Sequence, residues 1–222
     1  MMATPPVVTA VIINFRTPDL TIRAVRTFRS FYPDIPLLLI DNGSGDGSVQ
    51  ALEICARDAG DNTRLLVNPR NLHHGPAMDL ALRELQSRFV LFVDSDCVIT
   101  KGGFLETMRV SLEEEDHAYA AGKLISMNRR GYDIPESPGA YAYIRPICML
   151  IKRELYLSLP PFRRHGAPCL DNMRAASKRN LDLIHVPVEE YLTHEGRGTA
   201  GRHGYRLGFR GRLNHLLNRL GL

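Results

Sequence analysis

Residues Val7 to Phe15 form an unbroken apolar, β-branched run, the pattern of a strand buried on both faces. Thr17-Pro18-Asp19 follows it with a capping hydroxyl, a proline suited to the first helical position and an acid for the helix dipole. Leu20, Ala24, Phe28 and Phe31 then recur at helical spacing. The alternation continues. Leu37 to Ile40 predicts a second strand, and Ser48 caps a helix whose inner face is Val49, Leu52, Ala56 and Ala59. Arg64 to Val67 predicts a third strand, Pro76 to Leu85 a helix and Phe89 to Val93 a fourth strand. Strands separated by helices of this length predict an α/β domain with a mostly parallel central sheet flanked by helices.

Beyond the fourth strand the pattern loosens. A helix from Gly103 to Leu112, strands at Ala120 to Ile125 and Ile147 to Ile151, a helix near Asp171 to Lys178 and a short strand from Leu183 to Val186 are expected. The Pro- and Arg-rich stretch Leu159 to Pro168 reads as a loop over a site. The domain is expected to span residues 1–201, with residues 202–222 as a basic amphipathic helical tail. In that tail Phe209, Leu213, Leu216, Leu217 and Leu220 share one helical face among Arg202, Arg206, Arg210, Arg212 and Arg219. Two readings are open: a helix lying on an anionic membrane surface, or one packing its Leu face on its own domain or a partner.

Composition narrows the class. A chain of 222 residues with 44% hydrophobic and 23% charged positions suits one soluble globular domain. The start Met1-Met2-Ala3-Thr4-Pro5-Pro6 lacks the basic and apolar regions of a secretory signal, and no run approaches a membrane span. Cys55, Cys97, Cys148 and Cys169 contain no CxxC pair, which argues against a disulfide framework and a structural zinc. A cytoplasmic protein is expected, with peripheral attachment to the inner membrane surface if the tail binds lipid. The net charge of +4 suits anionic partners but is too mild to imply nucleic acid, and none is expected.

In an open parallel sheet, ligands bind beyond the carboxyl ends of the strands. Here those ends carry Asn14, Asp41-Asn42 and Asp94-Ser95-Asp96, three polar clusters on one rim. No glycine-rich loop follows the first strand, so a dinucleotide site of the GxGxxG type is not expected. Two carboxylates one residue apart offer hard oxygen ligands to Mg²⁺ or Mn²⁺, which often share coordination with phosphates. A lone Asp-x-Asp is weak evidence and reads first as a turn with two solvated acids.

Taken in order, Val11-Ile12-Ile13-Asn14-Phe15, Asp41-Asn42-Gly43-Ser44, Asn71 to Ala81 and Phe92-Val93-Asp94-Ser95-Asp96 resemble the motifs of the family 2 glycosyltransferases. The resemblance implies a single GT-A (Rossmann-like) domain and an inverting, metal-dependent transfer of a sugar, of hexosyl type, from a nucleoside-diphosphate sugar to a saccharide or lipid-linked acceptor. It implies that Asn14, Asp41 and Asn42 bind substrate, with Asp41 on the nucleobase. Asp94 would contact ribose or metal, and Asp96 the metal. His194-Glu195-Gly196-Arg197-Gly198-Thr199 resembles the closing motif, which implies His194 as a further ligand for Mn²⁺ or Mg²⁺ and Arg197 on the phosphates. The third motif departs from the family's Asn-x-Gly, reading Asn71-Leu72-His73-His74-Gly75-Pro76, with Asp79 where an Asn is usual. His73 and His74 are donor contacts or solvated loop histidines. Of the acidic cluster that carries the base, Asp171 alone keeps register, and it is either that base or a helix cap. Two alternatives stand beside this reading: a haloacid-dehalogenase-type phosphohydrolase using Asp94 and Asp96, and a degenerate domain that binds nucleotide without turnover.

Overall fold

The computed structural model describes residues 4–164 and 166–195. Three strands, β1 (Val8–Asn14), β2 (Leu37–Asp41) and β3 (Thr63–Val67), pair in parallel and alternate with helices α1 (Pro18–Phe31), α2 (Ser48–Asp58) and α3 (His74–Glu84). β4 (Phe89–Asp94) returns to the other side of β1, also in parallel. After the short β5 (Cys97–Ile99) and α4 (Phe104–Glu114), the chain adds β6 (Ala118–Met127) and β7 (Tyr141–Lys152). Next come α5 (Arg153–Leu157), α6 (Leu170–Ser177), β8 (Asp182–His185) and β9 (Leu192–His194). The main sheet has the order β3-β2-β1-β4-β7-β6-β8, in which β7 alone runs against the rest. It is a mixed, mostly parallel sheet flanked by helices, in the GT-A-like manner expected. β5 and β9 form a separate two-stranded antiparallel ladder.

Strand alternation decides which helix packs where. Ala10, Ile12, Leu37, Leu39, Leu91 and Val93 turn to one core, shared with Ala24 and Phe28 of α1 and Phe104 and Met108 of α4. Val11, Leu38, Ile40, Val90 and Phe92 turn to the other, with Met78 and Leu82 of α3, Tyr156 of α5 and Met173 of α6. Both faces are covered, which is why these strands read as continuous apolar runs. Phe31, expected on the inner face of α1, is exposed because it is the last residue of that helix.

The expected caps are corrected. Thr17 precedes α1 without a side-chain capping bond; its N–H instead donates to Asn14 Oδ1 at 3.3 Å. Ser48 is the first residue of α2, and Gly47 at φ +85° takes the capping position. The Asp46 carboxylate accepts both the Ser48 N–H (3.1 Å) and its hydroxyl (2.6 Å). No helix among the described residues is long and apolar enough to cross a membrane. The expected boundary near residue 201 and the basic tail lie outside the described residues.

Candidate active site

Register brings the polar strand ends together. Asn14 pairs with Asp41 across β1 and β2, and Ile13 pairs with Asp94 across β1 and β4. Asn14 and Asp41 are fully buried and hydrogen-bonded: Asn14 Nδ2 donates to Asp41 Oδ1 (2.8 Å) and Ser44 Oγ (3.1 Å). Ser44 closes the turn, its hydroxyl donating to Asp41 Oδ1 (2.5 Å) and its N–H to Asp41 Oδ2 (3.0 Å). Asn14 Oδ1 accepts the Thr21 hydroxyl at 2.9 Å, which ties the first turn of α1 to the same cluster. Asp41 therefore builds the rim, and a nucleobase N–H would have to use the remaining lone pair of Oδ2. Gly43 is required here, since a Cβ at φ +69° would stand 2.1 Å from the Arg70 carbonyl carbon. Asn42 anchors the next loop, accepting from Asn68 Nδ2 (3.0 Å) and Leu72 N–H (3.2 Å) and donating to Asn71 Oδ1 (3.2 Å).

Losing the Asp41 carboxylate would leave the buried Ser44 hydroxyl and N–H without their acceptor and take one of two acceptors from Asn14 Nδ2. Asp41→Ala should lower stability by about 3 kcal/mol, roughly 6–12 °C in Tm for a domain of this size. Thermal unfolding measures this directly, and an unshifted Tm would mean that the network contributes nothing net.

Asp94, Asp96 and His194 converge where β4 ends. Their ligand atoms all lie within 4.8 Å of one another. His194 Nε2 stands 3.1 Å from Asp96 Oδ1 and 3.9 Å from Asp94 Oδ2. The β5–β9 ladder delivers the histidine, because Cys97 pairs with His194 and the Glu195 N–H donates to the Asp96 carbonyl at 3.1 Å. Arg23 of α1 holds the end of β9 through an ion pair to Glu195 at 2.5 Å.

Burial pushes the Asp94 carboxyl above its ordinary range, and neighbouring Asp96 adds to the rise, against His74 and His194. His194 is pushed up chiefly by its hydrogen bond to Asp96, against desolvation. Two acids forced together out of water, with an imidazole beside them, fit a hard divalent cation: two carboxylate oxygens and one nitrogen suit Mn²⁺ or Mg²⁺. Since the imidazole must be neutral to ligate, a bound ion competes with the proton that Asp96 favours. Mn²⁺ affinity should therefore be weak below the ordinary histidine value of 6.5 and strengthen as pH rises through the raised His194 value. Calorimetric titration across that interval checks the sign, and a pH-independent affinity would remove His194 from the ligand set.

His74 is a group that sequence reasoning did not single out from the His-His pair. It opens α3, and its Nε2 lies 3.6 Å from Asp94 Oδ1, so the Asp94 carboxylate is flanked by an imidazole on each oxygen. The signal available was Gly75-Pro76: a proline in the first turn implies that the helix starts before it. Neighbouring His73 takes φ +68° and precedes the helix, with no side-chain capping bond. Asp79 faces away from the rim, accepting from Arg83 Nε (3.0 Å) and the Tyr156 hydroxyl (2.6 Å).

Asp171 is the second residue of α6 and does not cap it; the capping position falls on Cys169, which makes no side-chain cap bond. Both Asp171 oxygens accept from Arg164, from Nε and Nη2 at 2.8 Å each. The Arg164 carbonyl in turn accepts the Gly75 N–H at 3.1 Å, so the loop carrying Arg164 docks on the start of α3, beside His74. Arg197 lies outside the described residues.

The sequence matches glycosyl transferase family 2 over residues 9–170. The chain belongs to that family. No curated protein matches the sequence. Among solved structures, it is similar to the mannosyltransferase PcManGT from Pyrobaculum calidifontis in complex with GDP-Man and Mn²⁺. The two share 17% identity at a TM-score of 0.63, over 83% of this chain and 56% of that one. TarS 1-349 from S. aureus in complex with UDP-GlcNAc aligns at 16% identity and a TM-score of 0.58, over 85% and 59%. Glucosyl-3-phosphoglycerate synthase from Mycobacterium tuberculosis in complex with Mn²⁺, uridine-diphosphate and glucosyl-3-phosphoglycerate aligns at 18% and 0.61, over 98% and 81%. These likenesses establish the fold. The chain spans somewhat under 60% of the length of PcManGT and of TarS 1-349.

Proposed function

We propose that this protein is an inverting, metal-dependent glycosyltransferase that moves a hexosyl group from a nucleoside-diphosphate sugar to an acceptor hydroxyl. The observation that carries the reading is the Asp94, Asp96 and His194 group at the carboxyl end of β4 in a chain of this family. In this reading Asp94, Asp96 and His194 hold the cation, and Asn14, Asp41 and Asn42 fix the rim against which the nucleoside lies. Mn²⁺ or Mg²⁺, when bound, supplies charge neutralisation for a departing diphosphate. Arg197 adds a phosphate contact. Asp171, released from Arg164, takes the acceptor proton on the face opposite the leaving group. The acceptor is a saccharide or lipid-linked hydroxyl, and the basic tail of residues 202–222 would keep a cytoplasmic enzyme at an anionic membrane surface.

Membership of a transferase family leaves the phosphohydrolase alternative without support. The test is thermal unfolding with UDP-, GDP- and dTDP-linked sugars, each with and without Mn²⁺. Ligand at about a hundred times its Kd raises stability by about 2.7 kcal/mol, so the true donor should stand out only with metal present. Stabilisation by no nucleotide sugar would overturn the reading. Binding without any sugar turnover would favour the degenerate, nucleotide-binding alternative.

A further inference from the structure

Arg145 belongs to none of the motifs above, yet the fold aims it at the site. The β6–β7 ladder breaks between the pairs Gly122–Met149 and Leu124–Ile144, so Lys123 alone stands opposite Arg145, Pro146, Ile147 and Cys148. Bulges of this kind re-aim side chains next to sites. Gly122 permits it, because a Cβ there would lie 2.6 Å from the Cys148 carbonyl oxygen. On the other edge of β7, the ladder to β4 ends at Val93–Cys148, so the bulged residues continue beside the point where Asp94 emerges. The Cys97 thiol donates to the Ile147 carbonyl at 3.3 Å and fastens the bulge to β5.

Ile144 packs in the core against α6, its N–H donating to Met173 Sδ at 3.2 Å, and Arg145 follows it inside the bulge, where regular alternation lapses. Tyr141, two pairs earlier, lies under the Arg174 guanidinium (4.3 Å), and Tyr143 packs in the core shared with Cys169, Leu170 and Met173. Across the rim the order is therefore Asp41 on β2, Asn14 on β1, Asp94 on β4 and Arg145 on β7. The nucleoside side of the site lies toward β2. Arg145 belongs to the next strand, β7, on the side of β4 away from β1 and β2. The Arg145 charge is felt at His194, where it opposes protonation of the ring.

A permanent cation beside a group built for a divalent ion is repulsive unless an anion sits between them. Arg145 is already occupied in the way such an anion would occupy it: its Nη2 pairs with the carboxylate of Asp133, from the β6–β7 connection. Its Nε is buried and has no hydrogen-bond partner, which leaves half of the guanidinium fork unused.

We propose that Arg145 binds an oxyanion, a carboxylate or a phosphate, carried by the acceptor, with Asp133 as its internal placeholder. The enzyme would then be selective for anionic acceptors. This rests on the glycosyltransferase reading and extends it to the acceptor class.

The experiment uses the full chain, loaded with Mn²⁺ and the nucleoside diphosphate that the donor panel selects. Binding of glycerol 3-phosphate, glycerate and glycerol is measured by calorimetry, so that phosphate and carboxylate are separate arms and glycerol is the neutral control. At least one anion should bind at least tenfold more tightly than glycerol. Arg145→Ala should remove roughly ten- to a hundredfold of that affinity and leave nucleotide affinity within about twofold. Asp133→Asn, which frees the guanidinium, should tighten the anion instead. The Arg145–Asp133 pair is exposed enough, at 39% and 50%, that both variants should fold. Anions binding no better than glycerol, or no better to wild type than to Arg145→Ala, would overturn the proposal. So would an Arg145→Ala effect on nucleotide affinity instead, which would place the guanidinium on the donor diphosphate. Failure to bind any nucleotide would count against the underlying reading and not against Arg145 alone.

Discussion

Asp96→Ala is expected to abolish Mn²⁺-dependent stabilisation by the nucleoside-diphosphate sugar and to reduce turnover by about a thousandfold or more. The magnitude follows from the several kcal/mol that a bound cation contributes to a charged transition state, at 1.36 kcal/mol per factor of ten. Asp96 is the most deeply buried member of the group, with a side chain only 9% exposed, against 25% for Asp94 and 28% for His194. It also holds His194 at 3.1 Å, so its loss removes one ligand and releases a second. The substitution relieves like-charge crowding beside Asp94 and also removes the hydrogen-bond partner of His194, two opposed effects on the apo protein. Unfolding curves with and without Mn²⁺ and donor separate these from the loss of metal-dependent stabilisation. A variant that retains metal-dependent donor stabilisation would remove the Asp-x-Asp from the metal site.

Where sequence could be read, the reason is burial. β1, β2 and β4 are covered on both faces, so each is an uninterrupted apolar run whose polar end residue marks the rim; Asn14, Asp41 and Asp94 follow from that. β7 extends from Tyr141 to Lys152, but only its Ile147 to Ile151 end was legible, because Arg145 and Pro146 interrupt the run at the bulge. A proline inside a strand ordinarily argues against the strand, and here it marks the place where pairing lapses. The three-residue strands β5 and β9 are too short for any periodicity, although their pairing is what brings His194 to Asp96. Cap chemistry misled for a related reason. Ser48 has the right residue type, but the left-handed Gly47 and the carboxylate of Asp46 do the work one and two residues earlier.

Asp171→Asn is expected to fold and bind donor normally while turnover falls by roughly a hundred- to ten-thousandfold, the range for loss of a positioned general base. The alternative role of helix cap does not compete, since Asp171 lies inside α6 and makes no capping bond. What the residue does make is a two-pronged pair with Arg164, with side chains 48% and 35% exposed, a contact worth little to stability at such a surface. An arginine so placed holds the carboxylate in one orientation but also occupies both oxygens, so the base must be freed before it can accept a proton. Arg164→Ala should therefore leave turnover within about tenfold of wild type, unlike Asp171→Asn, because the docking bond from Gly75 uses the Arg164 carbonyl and survives the substitution. Equal losses in the two variants would mean that the ion pair positions the loop, with Asp171 as its anchor. Near-normal turnover in Asp171→Asn would move the search along the rim. Asp182 is then a poor candidate, for it begins β8 at the opposite edge of the sheet, paired with Ala118 at the start of β6. Glu189 and Glu190 follow the carboxyl end of β8, on the same edge as Asp94, and Glu189 is engaged by Lys123 at 3.2 Å. Lys123 is the residue that stands opposite the β7 bulge, so a base at Glu189 would approach the acceptor from the side where Arg145 is aimed.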